Sequence, residues 1–281
     1  MMIEKILQYV VFVVLLFSTN VSFAGISDFS LQGHHGTLKA VLQYPNKAKY
    51  PLVILMHGFN ANKDMFLLRV LSDELEKKGI ASVRFDFNGH GESDGNFEDM
   101  TILNELEDAR KVYEYISTKP QVISVSLAGH SQGGLVASML AGELGDKKIK
   151  TLVLMAASPN IRDMVVHGNL FGVKFDIGNI PEFIDIPGCC RVGKKYLETS
   201  RDLKPYKVAV KYTGPVALIH GKQDNIVPIS YSKHYLHRYK NAVWLDFKGR
   251  DSARHNYQGY EKEVGESIAS FINYVVYEMK P

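Results

Sequence analysis

A serine in a glycine-flanked turn is the strongest chemical signal in this sequence. Ser131 is the centre of a Gly-x-Ser-x-Gly pattern at 129–133, between an apolar, strand-like segment and a helix-like run at 135–141. A tight strand-to-helix turn strains the backbone and exposes the serine Oγ, and the helix N-terminus presents free N–H groups to a developing negative charge. The pattern therefore predicts that Ser131 is a nucleophile.

A serine hydroxyl needs a base to accept its proton and an acid to orient that base. After this kind of turn the partners are expected in the order serine, acid, histidine, on loops that follow later strands. Asp224 comes just after the apolar run 216–219, and His255 lies in the loop 248–256, beyond one more strand. The sequence therefore predicts Asp224 as the acid and His255 as the base.

Other side chains of suitable type are placed less well for these roles: His57, His220, His234, His237 and Asp251. The two histidines in the helical pattern 229–239 are expected to be solvated. The histidine that ends the strand 216–219 is expected to pack, and the one before Gly58 is expected to be structural. The aspartate is too near His255 in sequence to support it across the site.

An acyl-transfer intermediate carries an oxyanion, which two backbone donors must stabilise. The N–H of Gln132, directly after the nucleophile, is one expected donor. The second is the N–H of Phe59, in the loop that follows the apolar run 52–56. Both donors are backbone groups, so the prediction rests on position rather than on side-chain type.

Strand-like and helix-like segments alternate from an opening hairpin at 29–44 to a last helix at 261–277, with the sixth strand expected at 149–155 and the last strand at 242–247. This alternation predicts an α/β fold, with a mostly parallel central sheet covered by helices on both faces. More than fifty residues, rich in Gly, Pro and apolar side chains, separate the sixth strand from the seventh. Long connections in compact domains are usually functional, so we predict a lid at about 158–213, over the carboxyl ends of the strands.

The N-terminus has the pattern of a secretory signal peptide. Lys5 precedes an apolar stretch at 9–17, and a polar segment closes at Ala24. The stretch is shorter than the roughly 20 residues that span a bilayer. We expect a signal peptide at 1–24, a mature domain at 25–281 and a secreted or periplasmic protein without a stable membrane anchor, with a retained anchor as the alternative.

Composition and cysteine content narrow the remaining possibilities. The formal charge is only +3 and 46% of the residues are hydrophobic, which indicates a sizeable core and gives no reason to expect nucleic acid as a partner. Cys189 and Cys190 are adjacent, and neighbouring cysteines rarely pair. We expect them to be loop or core residues, and we expect no metal and no cofactor.

Four segments together resemble the α/β-hydrolase superfamily and, more narrowly, the bacterial cinnamoyl (feruloyl) esterases. They are His-Gly-Phe-Asn at 57–60, Phe-Asp-Phe-Asn-Gly-His-Gly-Glu-Ser-Asp-Gly at 85–95, Met-Thr-Ile-Leu-Asn-Glu-Leu-Glu-Asp at 100–108 and Gly-His-Ser-Gln-Gly-Gly at 129–134. The resemblance implies an α/β-hydrolase fold and hydrolysis of esters that join hydroxycinnamic acids to plant cell-wall sugars. It also implies that the lid holds the aromatic acyl group.

The lid departs from the pattern of that family. Met164 and Phe171 occupy the positions where the family has an acid and an amide that can meet a phenolic hydroxyl, whereas Tyr196 keeps an aromatic hydroxyl. We predict these three residues to be substrate-binding, with a small aromatic ester or a feruloylated saccharide as substrate. The alternatives are a general carboxylesterase or monoacylglycerol-lipase-like enzyme, and a non-catalytic binding protein on the same scaffold. A homodimer is left open.

Overall fold

A computed structural model describes residues 24–279. The predicted signal peptide, 1–24, lies outside the described residues except for Ala24. The first elements are β1 (Gly25–Gln32), β2 (Thr37–Tyr44), β3 (Tyr50–Met56), α1 (Phe66–Lys77) and β4 (Ala81–Phe85). A 3-10 turn (Phe97–Asp99) then leads to α2 (Ile102–Ser117), β5 (Val122–His130), α3 (Gln132–Leu144) and β6 (Leu152–Met155).

A long insertion follows β6. It contains α4 (Asn160–Val166), β7 (Asn169–Leu170), β8 (Val173–Lys174), β9 (Phe183–Ile186), β10 (Cys190–Gly193), α5 (Lys194–Asp202) and α6 (Pro205–Ala209). The chain then returns to the sheet through β11 (Val216–Ile219), α7 (Ile229–Arg238), β12 (Ala242–Trp244) and α8 (Glu261–Asn273), and a π-helical turn (Tyr274–Glu278) ends the described part.

The central sheet has eight strands in the order β1-β2-β4-β3-β5-β6-β11-β12. The pairs β1–β2 and β2–β4 are antiparallel, and every pair from β4 to β12 is parallel. This arrangement confirms the predicted α/β class with a mostly parallel sheet. The insertion joins the sixth and seventh strands of this sheet along the chain, as predicted, and forms two small hairpins and three helices.

Strand β3 shows how the sheet divides the core. All seven of its residues are buried, as predicted for a strand covered on both faces. Leu52 and Ile54 belong to the apolar cluster that includes α2 and α3, whereas Val53 and Leu55 belong to the cluster that includes α1 and α8. Alternate side chains therefore anchor opposite layers, and the loop that leaves the carboxyl end of β3 starts from a rigid position.

Some element ends differ from the prediction. The sixth strand was expected from 149, but it begins at Leu152 because the Ile149 N–H bonds to the Gly145 carbonyl in a turn. The last strand ends at Trp244 rather than at 247, and the last α-helix ends at Asn273 rather than at 277. No helix within 24–279 is long and apolar enough to cross a membrane.

Candidate active site

The predicted nucleophile lies between β5 and α3 in a strained conformation. Ser131 has φ +54° and ψ −120°, and its N–H donates to the Met155 carbonyl at 2.9 Å. A Cβ added at Gly129 would collide with the Gly133 carbonyl, and one added at Gly133 would collide with the His57 carbonyl. The close approach of strand and helix therefore requires both glycines, as the sequence pattern indicates.

The structure brings the three predicted triad residues together. Ser131 Oγ lies 2.9 Å from His255 Nε2, and His255 Nδ1 lies 2.7 Å from Asp224 Oδ2. Because the carboxylate accepts the proton on Nδ1, Nε2 is left as the acceptor that faces the serine hydroxyl. The arrangement can therefore move a proton from Ser131 Oγ to His255.

Asp224 is held in its ionised form by several donors. Its Oδ1 accepts the N–H groups of Ile226 and Val227, each at 2.9 Å, and its Oδ2 accepts from His255. Burial alone would raise the pKa of Asp224, but hydrogen bonds from His220 and His255 outweigh it and keep the pKa well below its usual value. The carboxylate is thus a fixed negative charge behind the His255 ring.

His220 was expected only to pack, and the structure corrects that expectation. Its Nε2 lies 2.9 Å from Asp224 Oδ2 and 3.0 Å from the Val227 carbonyl, and both of these atoms are acceptors, so Nε2 carries the ring proton. Its Nδ1 accepts from the Ser232 hydroxyl at 2.8 Å. The sequence did contain a signal, because His220 precedes Asp224 by four residues across the turn that leaves β11.

His130, the variable residue before Ser131, is a second contributor that the sequence analysis missed. Its Nε2 lies 2.9 Å from the His255 carbonyl oxygen, so this nitrogen donates and holds the backbone of the His255 loop. The ring is buried, and burial together with the nearby His255 lowers the pKa of His130 to about 3. His130 is therefore a neutral anchor for the base.

Both expected oxyanion donors lie beside the nucleophile. Gln132 begins α3 directly after Ser131, and a Cβ added at Gly58 would lie 3.0 Å from the Ser131 Cβ, which places the Phe59 loop against the serine. Within residues 24–279, the N–H groups of Phe59 and Gln132 donate to no protein acceptor. Both remain available to a developing negative charge.

Buried hydrogen bonds hold the loop that contains Phe59 in place. His57 Nδ1 donates to the Gly58 carbonyl at 2.9 Å, and His57 Nε2 accepts the Phe87 N–H at 3.2 Å. Both ring nitrogens of His57 are thus occupied, in agreement with its expected structural role. Farther along the loop, Asp86 accepts the Lys63 N–H at 2.6 Å and the Lys63 Nζ at 3.0 Å, which holds this part of the loop to the end of β4.

The three predicted substrate-binding residues occupy two different places. Phe171 and Tyr196 surround Phe59, with ring centroids 5.0 Å and 5.9 Å from its ring. Met164 instead lines a separate cleft of about 450 Å³, together with Asp163 and Tyr231. Phe171 and Tyr196 thus pack against the loop that contains Phe59, whereas Met164 lines a cleft with other residues.

The Tyr196 hydroxyl was expected to face a substrate, and the structure corrects this detail. Tyr196 is fully buried, and its hydroxyl donates to the Gln132 side-chain oxygen at 2.7 Å. A hydroxyl that already holds a buried acceptor is not free for a phenol. The ring packs against Phe59 inside the protein, while the hydroxyl holds the residue after the nucleophile.

Cys189 lies in the turn between β9 and β10, and Cys190 is the first residue of β10. Their sulfur atoms are 2.8 Å apart as free thiols, and Cys189 contacts the Asn60 side-chain amide at 3.1 Å. Among residues 24–279, no group of three or more His, Cys, Asp or Glu side chains is arranged to hold a metal ion.

Replacing His57 with glutamine should change how stability depends on pH. Burial and the nearby His90 lower the pKa of His57 to about 3, below the value of about 6.5 expected in the unfolded chain. The unfolded chain then binds the extra proton, so this site loses stability as the pH falls through 6.5 toward 3. Between about pH 7 and about pH 5 the cost is about 2 kcal/mol, which Gln cannot incur.

Urea denaturation of both proteins at the two pH values measures this effect. The advantage in unfolding free energy of the wild type over His57→Gln should shrink by about 2 kcal/mol at the lower pH. His237→Gln, at an exposed position of α7, is the control and should leave the pH dependence unchanged. A constant gap between the wild type and His57→Gln would contradict a buried, neutral His57.

Comparison with known proteins identifies a matching family and several similar proteins. Residues 47–175 match the family described as serine aminopeptidase, S33 (Hydrolase_4). Est1E from Butyrivibrio proteoclasticus, solved with ferulic acid bound, is similar in structure, with a TM-score of 0.82 and 31% sequence identity over 87% of this chain and 97% of that chain.

Two mammalian proteins are similar in sequence. Human Protein ABHD12B is 26% identical over 197 residues, which is 68% of this chain and 51% of that protein. The bovine mitochondrial palmitoyl-protein thioesterase ABHD10 is 25% identical over 194 residues, 65% of this chain and 60% of that protein. The matched region thus spans only half to three fifths of these two relatives.

Proposed function

We propose that this chain, which belongs to the α/β-hydrolase superfamily, is an exported serine esterase that cleaves feruloyl or related cinnamoyl esters of plant cell-wall saccharides. The single observation that carries the esterase chemistry is the unbroken hydrogen-bonded series Ser131–His255–Asp224. The acyl class is supported by the likeness to Est1E, which binds ferulic acid. Export is supported by the sequence pattern at 1–24 alone.

In the first half of the proposed reaction, Ser131 Oγ attacks the ester carbonyl carbon as its proton passes to His255 Nε2. Asp224 accepts the Nδ1–H bond throughout and stabilises the imidazolium that forms. The carbonyl oxygen becomes an oxyanion, which receives the backbone N–H groups of Phe59 and Gln132. His255 then gives its proton to the departing alcohol, and the acyl group remains on the serine.

In the second half, water takes the place of the alcohol. His255 accepts a proton from the water as its oxygen attacks the acyl carbon, and the same two N–H groups receive the second oxyanion. Collapse of this intermediate returns the proton from His255 to Ser131 and releases the acid. His130 and His220 do not exchange protons with the substrate; they hold the backbone of the base and the carboxylate of the acid.

Acyl recognition is proposed to come from the insertion, which acts as a lid. Phe59 and Phe171 are partly exposed beside the oxyanion loop, with the buried Tyr196 ring packed against Phe59, and flat apolar surfaces such as those of the two phenylalanines suit a cinnamoyl ring. Phe171 offers no polar group to a phenol, and the Tyr196 hydroxyl already bonds to Gln132. The pocket is therefore expected to accept methoxylated or unsubstituted cinnamates as readily as hydroxylated ones.

A general carboxylesterase or monoacylglycerol-lipase-like enzyme is the alternative. The observation that favours it is the apolar side chain of Phe171 beside Phe59, against which a hydrocarbon chain could also lie. The similarity to a palmitoyl-protein thioesterase also fits an aliphatic acyl group. In either case we propose a small ester as the substrate, with nucleic acid not involved and a homodimer still to be tested by measuring the mass in solution.

Relative rates on three esters separate the two functions. The proposed enzyme should hydrolyse methyl ferulate with a kcat/KM at least about tenfold above that for p-nitrophenyl butyrate and for a monoacylglycerol. The reason is that a cinnamoyl ring can stack on Phe59 and Phe171, whereas an aliphatic chain cannot. Ser131→Ala protein supplies the blank. Good cleavage of the aliphatic esters with no cleavage of any cinnamate would overturn the feruloyl assignment and favour the carboxylesterase.

A further inference from the structure

A buried row of polar side chains runs behind the nucleophile turn. The Tyr196 hydroxyl donates to Gln132 Oε1 at 2.7 Å, and Gln132 Nε2 donates to Glu105 Oε1 at 2.8 Å. Each of the three residues is at most 1% exposed. The side-chain amide of Gln132 is thus held at both ends, by α5 of the insertion and by α2. Its backbone N–H, beside Ser131, has no acceptor among the residues that the structure describes.

The far end of the row contains two buried polar atoms that have no hydrogen-bond partner in the described part of the chain. They are Glu105 Oε2 and His90 Nε2, and His90 Nε2 lies 4.0 Å from Glu105 Oε1. His90 Nδ1 is 3.2 Å from the Asn88 carbonyl oxygen, so Nδ1 carries the ring proton and Nε2 is an acceptor. At 4.0 Å the two groups are too far apart for a hydrogen bond, so no donor of the described residues would compensate a negative charge on Glu105 Oε2.

We propose that Glu105 is a positioning residue which, as an uncharged carboxylic acid, holds the Gln132 side chain and thereby the Gln132 backbone N–H where the oxyanion forms; this inference rests on the proposed function. An ionised Glu105 would place a buried negative charge next to Gln132, whose backbone N–H must stabilise the negative charge of the oxyanion. Its repulsion of the oxyanion would lower the rate. The neutral form keeps the hydrogen bond from Gln132 without that cost.

The surroundings of Glu105 favour the neutral form. Its titratable neighbours are Asp108 on the same helix, His90 on the loop after β4 and Tyr196 on α5. Burial raises the pKa of Glu105 to about 8, against the lowering effect of the Gln132 hydrogen bond, and Asp108 raises it further. Burial also lowers the pKa of His90, which favours its neutral form, so among residues 24–279 no cation faces the carboxyl group.

The pH dependence of ester hydrolysis tests the proposal. Wild-type kcat/KM for methyl ferulate should fall by about tenfold or more as the pH rises through about 8. Glu105→Gln keeps an oxygen for Gln132 and cannot ionise, so its activity near neutral pH should be close to that of the wild type and should not fall in this range. Glu105→Ala should be about tenfold less active at every pH, because it removes the acceptor for Gln132.

Asp108→Asn is the matched control, and Tyr196→Phe tests the other end of the row. Burial also raises the pKa of Asp108, to about 7, and Asp108→Asn should keep the alkaline fall if Glu105 is the group responsible. Tyr196→Phe removes the donor at the other end of the row. It should lower kcat for hydroxylated and unhydroxylated esters by the same factor, whereas a selective loss on hydroxylated cinnamates would mean that Tyr196 contacts the substrate.

An infrared measurement separates this inference from the proposed function. Protein labelled with carbon-13 glutamate should show the carbonyl band of a protonated carboxylic acid at neutral pH, and Glu105→Gln protein should lack it. If the wild type hydrolyses no ester, the proposed function fails while the band still reports the state of Glu105. An absent band, or the same alkaline fall in wild type and Glu105→Gln, would overturn the inference.

Discussion

Ser131→Ala protein is expected to fold normally and to lose ester hydrolysis by a factor of about 10⁶ in kcat. Only the hydroxyl group is removed, and its oxygen lies 2.9 Å from His255 Nε2. Without it no acyl-enzyme forms, and the remaining rate comes from binding and from the oxyanion donors alone. Alanine carries the same Cβ as serine, so the strained backbone at φ +54° is no harder to adopt.

Steady-state kinetics and covalent labelling measure this effect together. A fluorophosphonate should attach to the peptide containing Ser131 in the wild type and to no peptide in Ser131→Ala. Ser158 is the matched control, because its Oγ lies only 3.3 Å from the Ser131 Oγ. Ser158→Ala should retain activity within about tenfold, as expected for a lost neutral contact. A Ser158 variant as inactive as Ser131→Ala would show that the nucleophile has been misassigned.

His255→Ala should be nearly as damaging as Ser131→Ala, because nucleophile and base act as a unit. Loss of the ring removes the acceptor for the serine proton and also takes from Asp224 Oδ2 one of its two side-chain donors within 24–279, leaving His220. The double variant should therefore be little worse than either single one. Stopped-flow or overnight assays of all three proteins, with circular dichroism to verify folding, measure this non-additivity.

Histidines elsewhere provide the controls for the base. His234 and His237 are exposed on α7, and alanine at either position should leave kcat/KM essentially unchanged. His130→Ala should fall between these extremes, because it removes the donor to the His255 carbonyl but leaves the imidazole in place. An inactive His234→Ala, or an active His255→Ala, would contradict the assignment of the base.

Local patterns were sufficient to predict much of the fold and the placement of the triad candidates. The nucleophile turn is encoded within five residues, since Gly129 and Gly133 are needed wherever strand and helix approach so closely. The order of strands then placed Asp224 and His255 on loops at the same edge of the sheet. The buried run of β3 was recognisable because a strand covered on both faces must be continuously apolar.

Contacts between distant segments could not be predicted in the same way. Nothing in the sequence around Tyr196 shows that its hydroxyl bonds to Gln132, because the two residues lie on the insertion and on α3 and meet only in the folded chain. The same holds for the contact of His130 with the His255 backbone. The two-residue strands β7 and β8 are too short to produce a pattern.

The hydrogen bond from His130 to the His255 carbonyl joins residues 125 positions apart, and this separation has a consequence for folding. The nucleophile turn is built from neighbouring residues, whereas the base arrives only when a long loop of chain has closed. Contacts at such a separation cost loop entropy before they add stability, so they tend to form late. Regain of activity during refolding should therefore lag behind regain of the helical circular dichroism signal. The length of this lag measures how long the C-terminal part takes to pack onto the sheet.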